Sequence, residues 1–453
     1  MLFSISKLNY FLSIYGIIYK KEVLYMKPMN LTRINNELHL NNISLNTLAR
    51  EYGTPLYVYD EFELHHNMKE YTINFNSKKF DTHIVYASKA FLVPELCNIV
   101  NEESLYMDAV SLGDLYVAKT SNFKMERIVF HGNNKSNEEL EYALKNSVGL
   151  IVVDNLDELE RLKKLSKKLD IKANTLFRVN PGIDAHTHKY IQTALYVSKF
   201  GESIYDIETI DKIIESYKES EHVSLLGFHS HIGSQIKEVK PFLQNIEKMI
   251  TFTKMIEEKH NMKLDYLNLG GGFGIKYYEK DSDINLKYVL EKMIQKIESV
   301  SKKLNYNVKH VYIEPGRSIV GTAGITIYEC GMIKHTYGGK NYLFINGGMT
   351  DNIRPALYQA KYEVDVVNLD QNALKIVVDV AGKCCESGDI IAQDVLVPYI
   401  NSGDFIVVYA TGAYTYSMSS NYNNITKPAV IFVGDNVRVV SRREKLEDLN
   451  RLF

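Results

Sequence analysis

The sequence contains little cysteine for its 453 residues. The four cysteines are Cys97, Cys330, Cys384 and Cys385. They are too few and too irregularly spaced for a disulfide scaffold or for a zinc site built from two cysteine pairs. We therefore expect a protein of a reducing, cytoplasmic compartment, with no metal ion in its functional site.

An excess of positive charge is also missing. The chain carries 53 Lys and Arg against 55 Asp and Glu, which gives a formal net charge of −2. Surfaces that bind nucleic acids or anionic membranes need a basic excess, because they neutralise phosphate groups. The charge balance therefore argues against a nucleic-acid or membrane partner.

Near its start the sequence has an apolar run that is too short to span a membrane. This run, LNYFLSIYGIIY at residues 8–19, falls below the ~20 residues that a spanning helix needs. No cleavage site with small residues follows it, so it does not match a signal peptide. We expect residues 1–29 to be an N-terminal extension, with translation starting at Met26 or Met29.

From about residue 83 to residue 316, short apolar strands alternate with amphipathic helices. The helical stretches include residues 155–169 and 240–260, where apolar residues recur at intervals of three and four. The strand candidates are residues 84–88, 104–110, 127–132, 149–154, 175–180, 224–231, 266–271 and 310–316. This is the strand count of a (β/α)8 barrel of the TIM type, within the α/β class. Periodicity alone leaves a doubly wound open sheet as the alternative.

The last third of the chain has a different pattern of apolar and polar residues. After residue 320, β-rich segments separated by turn residues replace the helical runs. We therefore predict a barrel over residues 55–318 and a C-terminal all-β domain, sandwich-like or barrel-like, over residues 319–453. Residues 30–54 are expected to add a strand or a helix that packs with the β domain.

A polar residue or a glycine lies at the carboxyl end of every predicted barrel strand, where barrel enzymes carry their active sites. These residues are Lys89, Asp108, Ser111, His131, Asp154, Arg178, Asn180, His231, Gly270, Gly271, Gly272, Glu314 and Arg317. Each has an ordinary explanation by itself, because strands commonly end near solvent. Their occurrence at every strand indicates one common site.

Two features of this site favour a particular cofactor. Lys89 precedes an apolar segment, so we expect it to snorkel at the strand end or to be held in the barrel mouth, where a desolvated amine can form a Schiff base. The glycine run at 269–274 allows close approach of an anion, and loops after the seventh and eighth strands are a common phosphate site. Ser234 and Arg317 could add a hydroxyl and a positive charge.

A lysine and a phosphate site in one barrel mouth suggest pyridoxal phosphate. This cofactor needs a charged partner at its ring nitrogen and a group against its ring face. Glu314 is the candidate for the first role and His231 for the second. The alternatives are a hydrogen-bonded carboxylate at a strand end and a histidine that serves only packing.

The segments around these residues resemble the alanine-racemase-like class of pyridoxal-phosphate enzymes, the fold type III decarboxylases. The resemblance extends from about residue 53 to the end of the chain, and the order and number of the matching segments make it specific. These segments are YASKA (86–90), FHGNNKS (130–136), SKFG (198–201), HSHIGSQ (229–235), GGGFG (270–274), EPGRS (314–318), GGMTDNIRPALY (347–358), AGKCCESGD (381–389), GAYTYSMSSNYN (412–423) and KPAVIFV (427–433).

The resemblance implies a homodimer in which the β domain of one subunit completes the barrel site of the other. It implies that Lys89 binds the cofactor covalently, that His231 stacks on its ring, and that Glu314 contacts the pyridine nitrogen. Cys385 matches the thiol that protonates the product. The positions that match the phosphate region are Ser234, Gly271, Gly272, Gly316, Arg317 and Tyr414, and those that match the substrate-binding region are Arg317, Arg354, Tyr358, Glu386 and Tyr414.

The matched positions also indicate which thiol protonates the product and which substrate is bound. Neighbours along an extended segment face opposite sides, so only one of Cys384 and Cys385 can face the site, and Cys385 directly precedes Glu386 in the matching motif. Arg354 and Glu386 together suit the second amino-acid group of meso-2,6-diaminopimelate. We therefore expect decarboxylation of that compound to L-lysine.

Two alternatives are kept beside this expectation. A decarboxylase of the same fold could act on another basic amino acid, ornithine or arginine, or on carboxynorspermidine. A relative that has lost catalysis could serve as a binding regulator. Such a protein should lack the lysine or the cysteine, whereas this chain keeps both Lys89 and Cys385.

Overall fold

A computed structural model describes residues 26–183 and 198–453. The expected N-terminal extension, except for its last residues, lies outside this part of the chain. The chain divides into two compact units. The barrel unit comprises His65–Gly274 and Ile284–Ile319, and the β unit comprises the residues up to Leu64 together with Ile275–Asp283 and Val320–Phe453. Of the helices in the described ranges, none is both long and apolar enough to cross a membrane.

The first described segment forms a small sheet, a helix and one further strand. Its elements are β1 (Leu31–Ile34), β2 (Glu37–Leu40), β3 (Ile43–Ser44), α1 (Leu45–Tyr52) and β4 (Leu56–Asp60). The first three strands pair antiparallel with one another. Ser44 begins α1 as its N-cap, because its hydroxyl accepts the N–H of Thr47. The segment therefore contains both strands and a helix, where a strand or a helix was expected.

Eight parallel strands form the barrel. In chain order the strands of this unit are β5 (Asp81–Tyr86), β6 (Tyr106–Ala109), β7 (Ile128–Phe130), β8 (Leu150–Val153), β9 (Ala173–Asn180), β10 (Glu202–Ser203), β11 (Val223–His229), β12 (Tyr266–Asn268) and β13 (His310–Ile313). The short β10 only adds to β9. Pairing of β8 with β9 closes the sheet, so the barrel prediction is confirmed and the open sheet is excluded.

Helices alternate with the barrel strands. They are α2 (Glu61–Asn74), α3 (Pro94–Glu102), α4 (Leu112–Thr120), α5 (Asn137–Lys145), α6 (Leu156–Leu169), α7 (Ile207–Lys218), α8 (Val239–His260), α9 (Leu286–Leu304) and α10 (Arg317–Val320). The bounds of α6 follow from local chemistry, because Asn155 caps its first turn and Asp170 ends it in the left-handed conformation. The helices predicted over 155–169 and 240–260 are confirmed within one residue at each end.

The β unit is built on a second sheet. Its later elements are β14 (Gly324–His335), β15 (Asn341–Ile345), α11 (Arg354–Tyr358), β16 (Val364–Val366), β17 (Lys375–Ala381), β18 (Ile390–Pro398), β19 (Phe405–Val408), β20 (Ala429–Val433), β21 (Val437–Ser441) and α12 (Leu446–Leu449). The strand order is β18-β17-β15-β14-β4-β20-β21, and β19 pairs with β14 and β16. The β-rich prediction for the last third is therefore confirmed at the level of fold class.

Two features of this sheet differ from what the sequence predicted. β4 lies within the range expected for the barrel, but it pairs with β14 and β20. All of its residues are buried, so its pattern could not indicate which sheet it joins. β18 was not predicted because exposed Gln393 and Asp394 interrupt its apolar pattern, yet it forms a long antiparallel ladder with β17.

Candidate active site

The carboxylate of Glu314, which directly follows β13, is buried among three nitrogen donors. Its Oε1 lies 2.8 Å from Nε2 of His131 and accepts the side-chain amide of Asn268 at 2.8 Å. Its Oε2 lies 3.3 Å from Nε2 of His229. These donors stand at the ends of β7, β12 and β11, so closure of the barrel brings them to one carboxylate. The side chain of Glu314 is only 5% exposed.

This environment fixes the charge of Glu314. Burial alone would raise the pKa of its carboxyl group, but His131 and His229 outweigh burial and hold the pKa well below its usual value. Burial lowers the pKa of His229 to about 3, so its ring is neutral and Nε2 serves as an N–H donor. The site therefore holds an ionised carboxylate at neutral pH.

The carboxylate fits the ring nitrogen of pyridoxal phosphate. A carboxylate offers about four acceptor positions, and the described residues occupy three on Glu314. One position on Oε2 is therefore left for the N–H of a protonated pyridine. The ligand atoms of His131, His229 and Glu314 also have the spacing of metal ligands, which their mutual hydrogen bonds explain.

His231 lies two residues beyond the end of β11 and is half-buried. Its Nδ1 accepts the N–H of Gly271 at 3.2 Å, so a neutral ring carries its proton on Nε2. Burial, together with the nearby charges of Lys89 and Arg178, holds the pKa of His231 well below its usual value. The structure therefore presents a neutral imidazole of defined tautomer, whose flat face could lie against a ring.

The glycine run after β12 forms a tight turn. Gly270 and Gly272 have φ angles of +67° and +104°, which L residues with side chains rarely adopt. A Cβ on Gly271 would collide with the carbonyl oxygen of Glu314. The turn therefore lies directly against the end of β13 and depends on the absence of side chains.

Beside this turn, a guanidinium and a hydroxyl are joined. Arg317 is 5% exposed, and its Nη2 donates to the Oγ of Ser234 at 2.9 Å. Gly316 packs against Ala87, whose Cβ would lie 2.7 Å from a Cβ at that position. A buried guanidinium with an adjacent hydroxyl is a suitable donor set for a phosphate.

Lys89 lies in a 3-10 turn over Ser88–Ala90 beyond the end of β5. It is exposed, as the head group of a snorkelling lysine would be, and the residues on either side of it, Ser88 and Ala90, are buried. Its positive charge acts on Asp108 and on His231. Asp108 faces this turn and accepts the N–H of Ser88 on Oδ1 at 2.6 Å.

Asp108 gives a second test of the cofactor's fit. Its Oδ2 is buried and has no hydrogen-bond partner in the part of the chain that the structure describes. Burial raises the pKa of Asp108, and the positive charge of Lys89 opposes this effect. A buried acceptor beside an exposed amine suits a site in which a polar group is bound between them.

Sequence reasoning missed some of these contributors. His131 and Asp108 were noted as polar strand ends without a role, and His229 and Asn268 were not singled out. One signal was available, because His229 precedes His231 by two residues and so points to the same side of an extended segment. The contact of Asn268 with Glu314 joins residues 46 positions apart and had no local signal.

In the β unit, Arg354 is surrounded by tyrosines. Its Nε donates to the hydroxyl of Tyr362 at 2.7 Å, and the rings of Tyr277, Tyr358 and Tyr414 lie 5.5 to 5.9 Å from its Cζ. Arg354 is 7% exposed. Within residues 26–183 and 198–453, its Nη atoms form no hydrogen bond or ion pair. This buried guanidinium is a suitable anion receptor.

Other predicted residues of the β unit lie on a loop between β17 and β18. Cys385 and Glu386 are exposed there, whereas Cys384 is buried. Tyr414 has a φ angle of +58°, which is rare for a bulky residue and is typical of functional sites. The predicted site residues thus form one group at the barrel mouth and another in the β unit.

Comparisons with known proteins agree with this geometry. A family profile described as the pyridoxal binding domain of pyridoxal-dependent decarboxylases matches residues 63–321. Diaminopimelate decarboxylase of Bacillus subtilis is 42% identical over 419 residues, which cover 92% of this chain and 95% of the relative. The corresponding protein of Staphylococcus aureus is 42% identical over 92% and 97% of the two chains.

A solved structure supports the same relationship. Diaminopimelate decarboxylase of M. jannaschii, in complex with L-lysine, superposes with a TM-score of 0.87 at 31% identity, and the match covers 93% of this chain and 97% of that one. The agreement extends over nearly the whole length of each protein. This chain therefore belongs to the pyridoxal-dependent decarboxylases and, within them, to the diaminopimelate decarboxylase family.

Proposed function

We propose that this enzyme decarboxylates meso-2,6-diaminopimelate to L-lysine and carbon dioxide, the last step of lysine biosynthesis, with pyridoxal phosphate as cofactor. The relatives of matching length carry this activity in their names. We further propose that it works as a cytoplasmic homodimer, in which the β unit of each subunit completes the barrel site of the other.

In this proposal the barrel residues hold the cofactor. Lys89 supplies the amine that binds it covalently, and His231 lies against its ring. The phosphate is held by Ser234, Gly271, Gly272, Gly316 and Arg317, with a hydroxyl from Tyr414. When bound, pyridoxal phosphate supplies a protonated ring that accepts the electrons left on Cα as carbon dioxide departs.

Glu314 keeps a proton on the ring nitrogen. Its carboxylate is ionised and buried, so a cationic N–H beside Oε2 is strongly favoured over a neutral nitrogen. His131 and Asn268 fix Oε1 through two bonds of 2.8 Å and leave Oε2 directed for this contact. These neighbours therefore position Glu314, and they contribute without touching the substrate.

Cys385 supplies the proton that replaces the departing carboxylate on Cα. It is exposed, whereas Cys384 is buried and its pKa is raised to about 11, chiefly by burial. A thiol can deliver a proton at neutral pH, and placement of the acid decides which face of the carbon receives it.

The observation that carries the substrate assignment is the buried guanidinium of Arg354. A buried arginine without a carboxylate partner is costly unless an anion binds it. The far end of diaminopimelate carries a carboxylate and an ammonium group, whereas ornithine and arginine have no second carboxylate. Arg354 with Tyr358 would bind the carboxylate, and exposed Glu386 would bind the ammonium group. Arg317 and Tyr414 complete this set.

A direct assay tests the activity. The purified protein, supplied with pyridoxal phosphate, is offered diaminopimelate, ornithine and arginine in parallel, and the amine products are identified. We expect L-lysine from diaminopimelate and little product from the other two. Turnover of ornithine or arginine without formation of lysine would favour the alternative decarboxylases.

Two further experiments test the cofactor and the shared site. Lys89→Ala should abolish the visible absorbance that arises from the covalent bond between the cofactor and this lysine, and an unchanged spectrum would contradict the assignment of Lys89. When the Lys89→Ala and Cys385→Ala variants are mixed and allowed to exchange subunits, the mixture should recover about a quarter of wild-type activity. The reason is that half of the dimers then contain one subunit of each variant, and each of these dimers holds one intact site out of two. No recovery after verified exchange would exclude the sharing of sites.

A further inference from the structure

The two adjacent cysteines differ in exposure, and a buried carboxylate accepts the N–H of the buried one. They belong to the thiol loop, residues 382–389, which connects β17 to β18. This loop lies beside residues 347–350, and the N–H of Lys383 donates to the carbonyl oxygen of Gly347 at 2.9 Å. Asp389 closes the loop, since its carbonyl oxygen accepts the N–H of Gly382 at 2.9 Å.

The side chain of Asp389 accepts hydrogen bonds from both of these segments, the thiol loop and residues 347–350. Its Oδ1 accepts the N–H of Met349 at 2.6 Å, and its Oδ2 accepts the N–H of Cys384 at 2.8 Å. Burial, together with the nearby charge of Asp389, raises the pKa of the Cys384 thiol. Asp389 is 2% exposed, so its two oxygens are occupied by groups of these two segments.

The surrounding backbone is shaped to admit this carboxylate. A Cβ at Gly348 or at Gly382 would collide with the oxygens of Asp389. Gly348 also has a φ angle of +156°. Both segments therefore approach the carboxylate more closely than residues with side chains would allow.

The N–H groups of Cys384 and Cys385 have different partners. Cys384 is 8% exposed and its N–H donates to Asp389, whereas Cys385 is exposed and its N–H donates to Oδ1 of Asn423 at 2.8 Å. Residues 383–385 form a bend, and the N–H of Glu386 donates to the carbonyl oxygen of Cys384 at 2.8 Å. This bend leaves Cys385 exposed while the N–H of Cys384 is held by Asp389.

We propose that Asp389 is a positioning residue that selects Cys385 rather than Cys384 as the reactive thiol of this enzyme. The catalytic part of this inference rests on the proposed role of Cys385 as the acid. The structural part, the unequal accessibility of the two thiols, does not depend on that role.

Alkylation of the holoenzyme tests the structural part. Native protein is treated with iodoacetamide, and modification of each cysteine is followed by peptide mass spectrometry. Because a pKa of about 11 leaves little thiolate, Cys384 should react roughly 100-fold more slowly in the native enzyme than in the urea-unfolded chain. Equal native rates for Cys384 and Cys385 would overturn the proposal, whether or not any variant folds.

The substitution Asp389→Asn tests whether Asp389 causes the low reactivity of Cys384. It replaces an acceptor of two N–H groups with a side chain that presents an NH2 group to one of them. We expect Cys384 to lose most of its protection against alkylation by iodoacetamide. We also expect kcat to fall about 10-fold or more while KM changes little. The control is Asp370→Asn, a change at an exposed carboxylate of the same unit, which should alter neither quantity. Far-UV circular dichroism and cofactor absorbance verify folding.

The outcomes separate this proposal from the proposed function. Continued protection of Cys384 in Asp389→Asn would overturn the role of Asp389, and loss of protection without a change in kcat would overturn its importance for the reaction. Full activity in Cys385→Ala would contradict the assignment of the acid. It would leave the alkylation pattern, and hence the structural part, unaffected. Cys384→Ala should retain activity in the wild-type background.

Discussion

A buried carboxyl group in the β unit should make the stability of the enzyme depend on pH. Asp351 is 1% exposed, and its Oδ2 accepts the N–H of Gly348 at 2.9 Å. Burial raises the pKa of Asp351 from 3.8 to about 7, against the effect of this hydrogen bond. In the unfolded chain the same group would ionise near its ordinary pKa.

The sign and the size of the effect follow from this difference. Between about pH 4 and pH 7 the folded protein keeps a proton that the unfolded chain releases, so stability falls as pH rises through this range. The difference between 3.8 and about 7 corresponds to about 4 kcal/mol in total. About 3 kcal/mol of it is expected between pH 5 and pH 8.

Asp351→Asn removes this titration, because an amide resembles the neutral acid at every pH. We expect the free energy of unfolding of the variant to increase, relative to that of wild type, by about 3 kcal/mol from pH 5 to pH 8. Urea unfolding followed by far-UV circular dichroism measures it, since the chain has no tryptophan. Asp370→Asn, an exposed control, should show no such change. A constant difference between Asp351→Asn and wild type would refute the reasoning.

Three further substitutions test the site and the barrel. Glu314→Gln should lower turnover about 10² to 10³-fold, because a neutral amide does not hold a proton on the ring nitrogen; wild-type rates of lysine formation would contradict this. Lys135→Met should reduce the free energy of unfolding by about 3 to 5 kcal/mol, because it leaves the fully buried partner carboxylate of Glu158 unpaired. The double variant Lys135→Met with Glu158→Leu should regain most of this loss in urea unfolding. Cys385→Ala should slow turnover about 10² to 10⁴-fold, and an equal loss in Cys384→Ala would move the acid to the neighbouring thiol.

Much of the fold could be predicted because it depends on local patterns. The barrel strands and the helices α6 and α8 have the apolar spacing of their type. Both helices end at a residue in the left-handed conformation, and α6 also begins at the capping residue Asn155. β4 and β18 show where this reasoning stops. A fully buried strand fits either sheet, and a strand with exposed polar residues in its middle resembles a loop.

The site was predictable only as a set of residue types at strand ends. The position of Glu314 after the eighth barrel strand followed from the strand count, but its hydrogen bond to His131 joins residues 183 positions apart. No local pattern contains such a contact. Lys89 shows a related limit, because the apolar segment after it left open whether the lysine is exposed or enclosed, and the structure places it as an exposed residue in a turn between buried Ser88 and Ala90.

By itself the sequence determined the alternation of strands and helices, the family, and the residues that could carry pyridoxal-phosphate chemistry. These depend on side-chain periodicity and on short segments in a fixed order. The tertiary structure decided the sheet that β4 joins, the ionisation of Glu314, and which of Cys384 and Cys385 is exposed. Each of these depends on burial and on partners distant in sequence, because the free energy of a charge or a backbone hydrogen bond is set by the groups that surround it after folding.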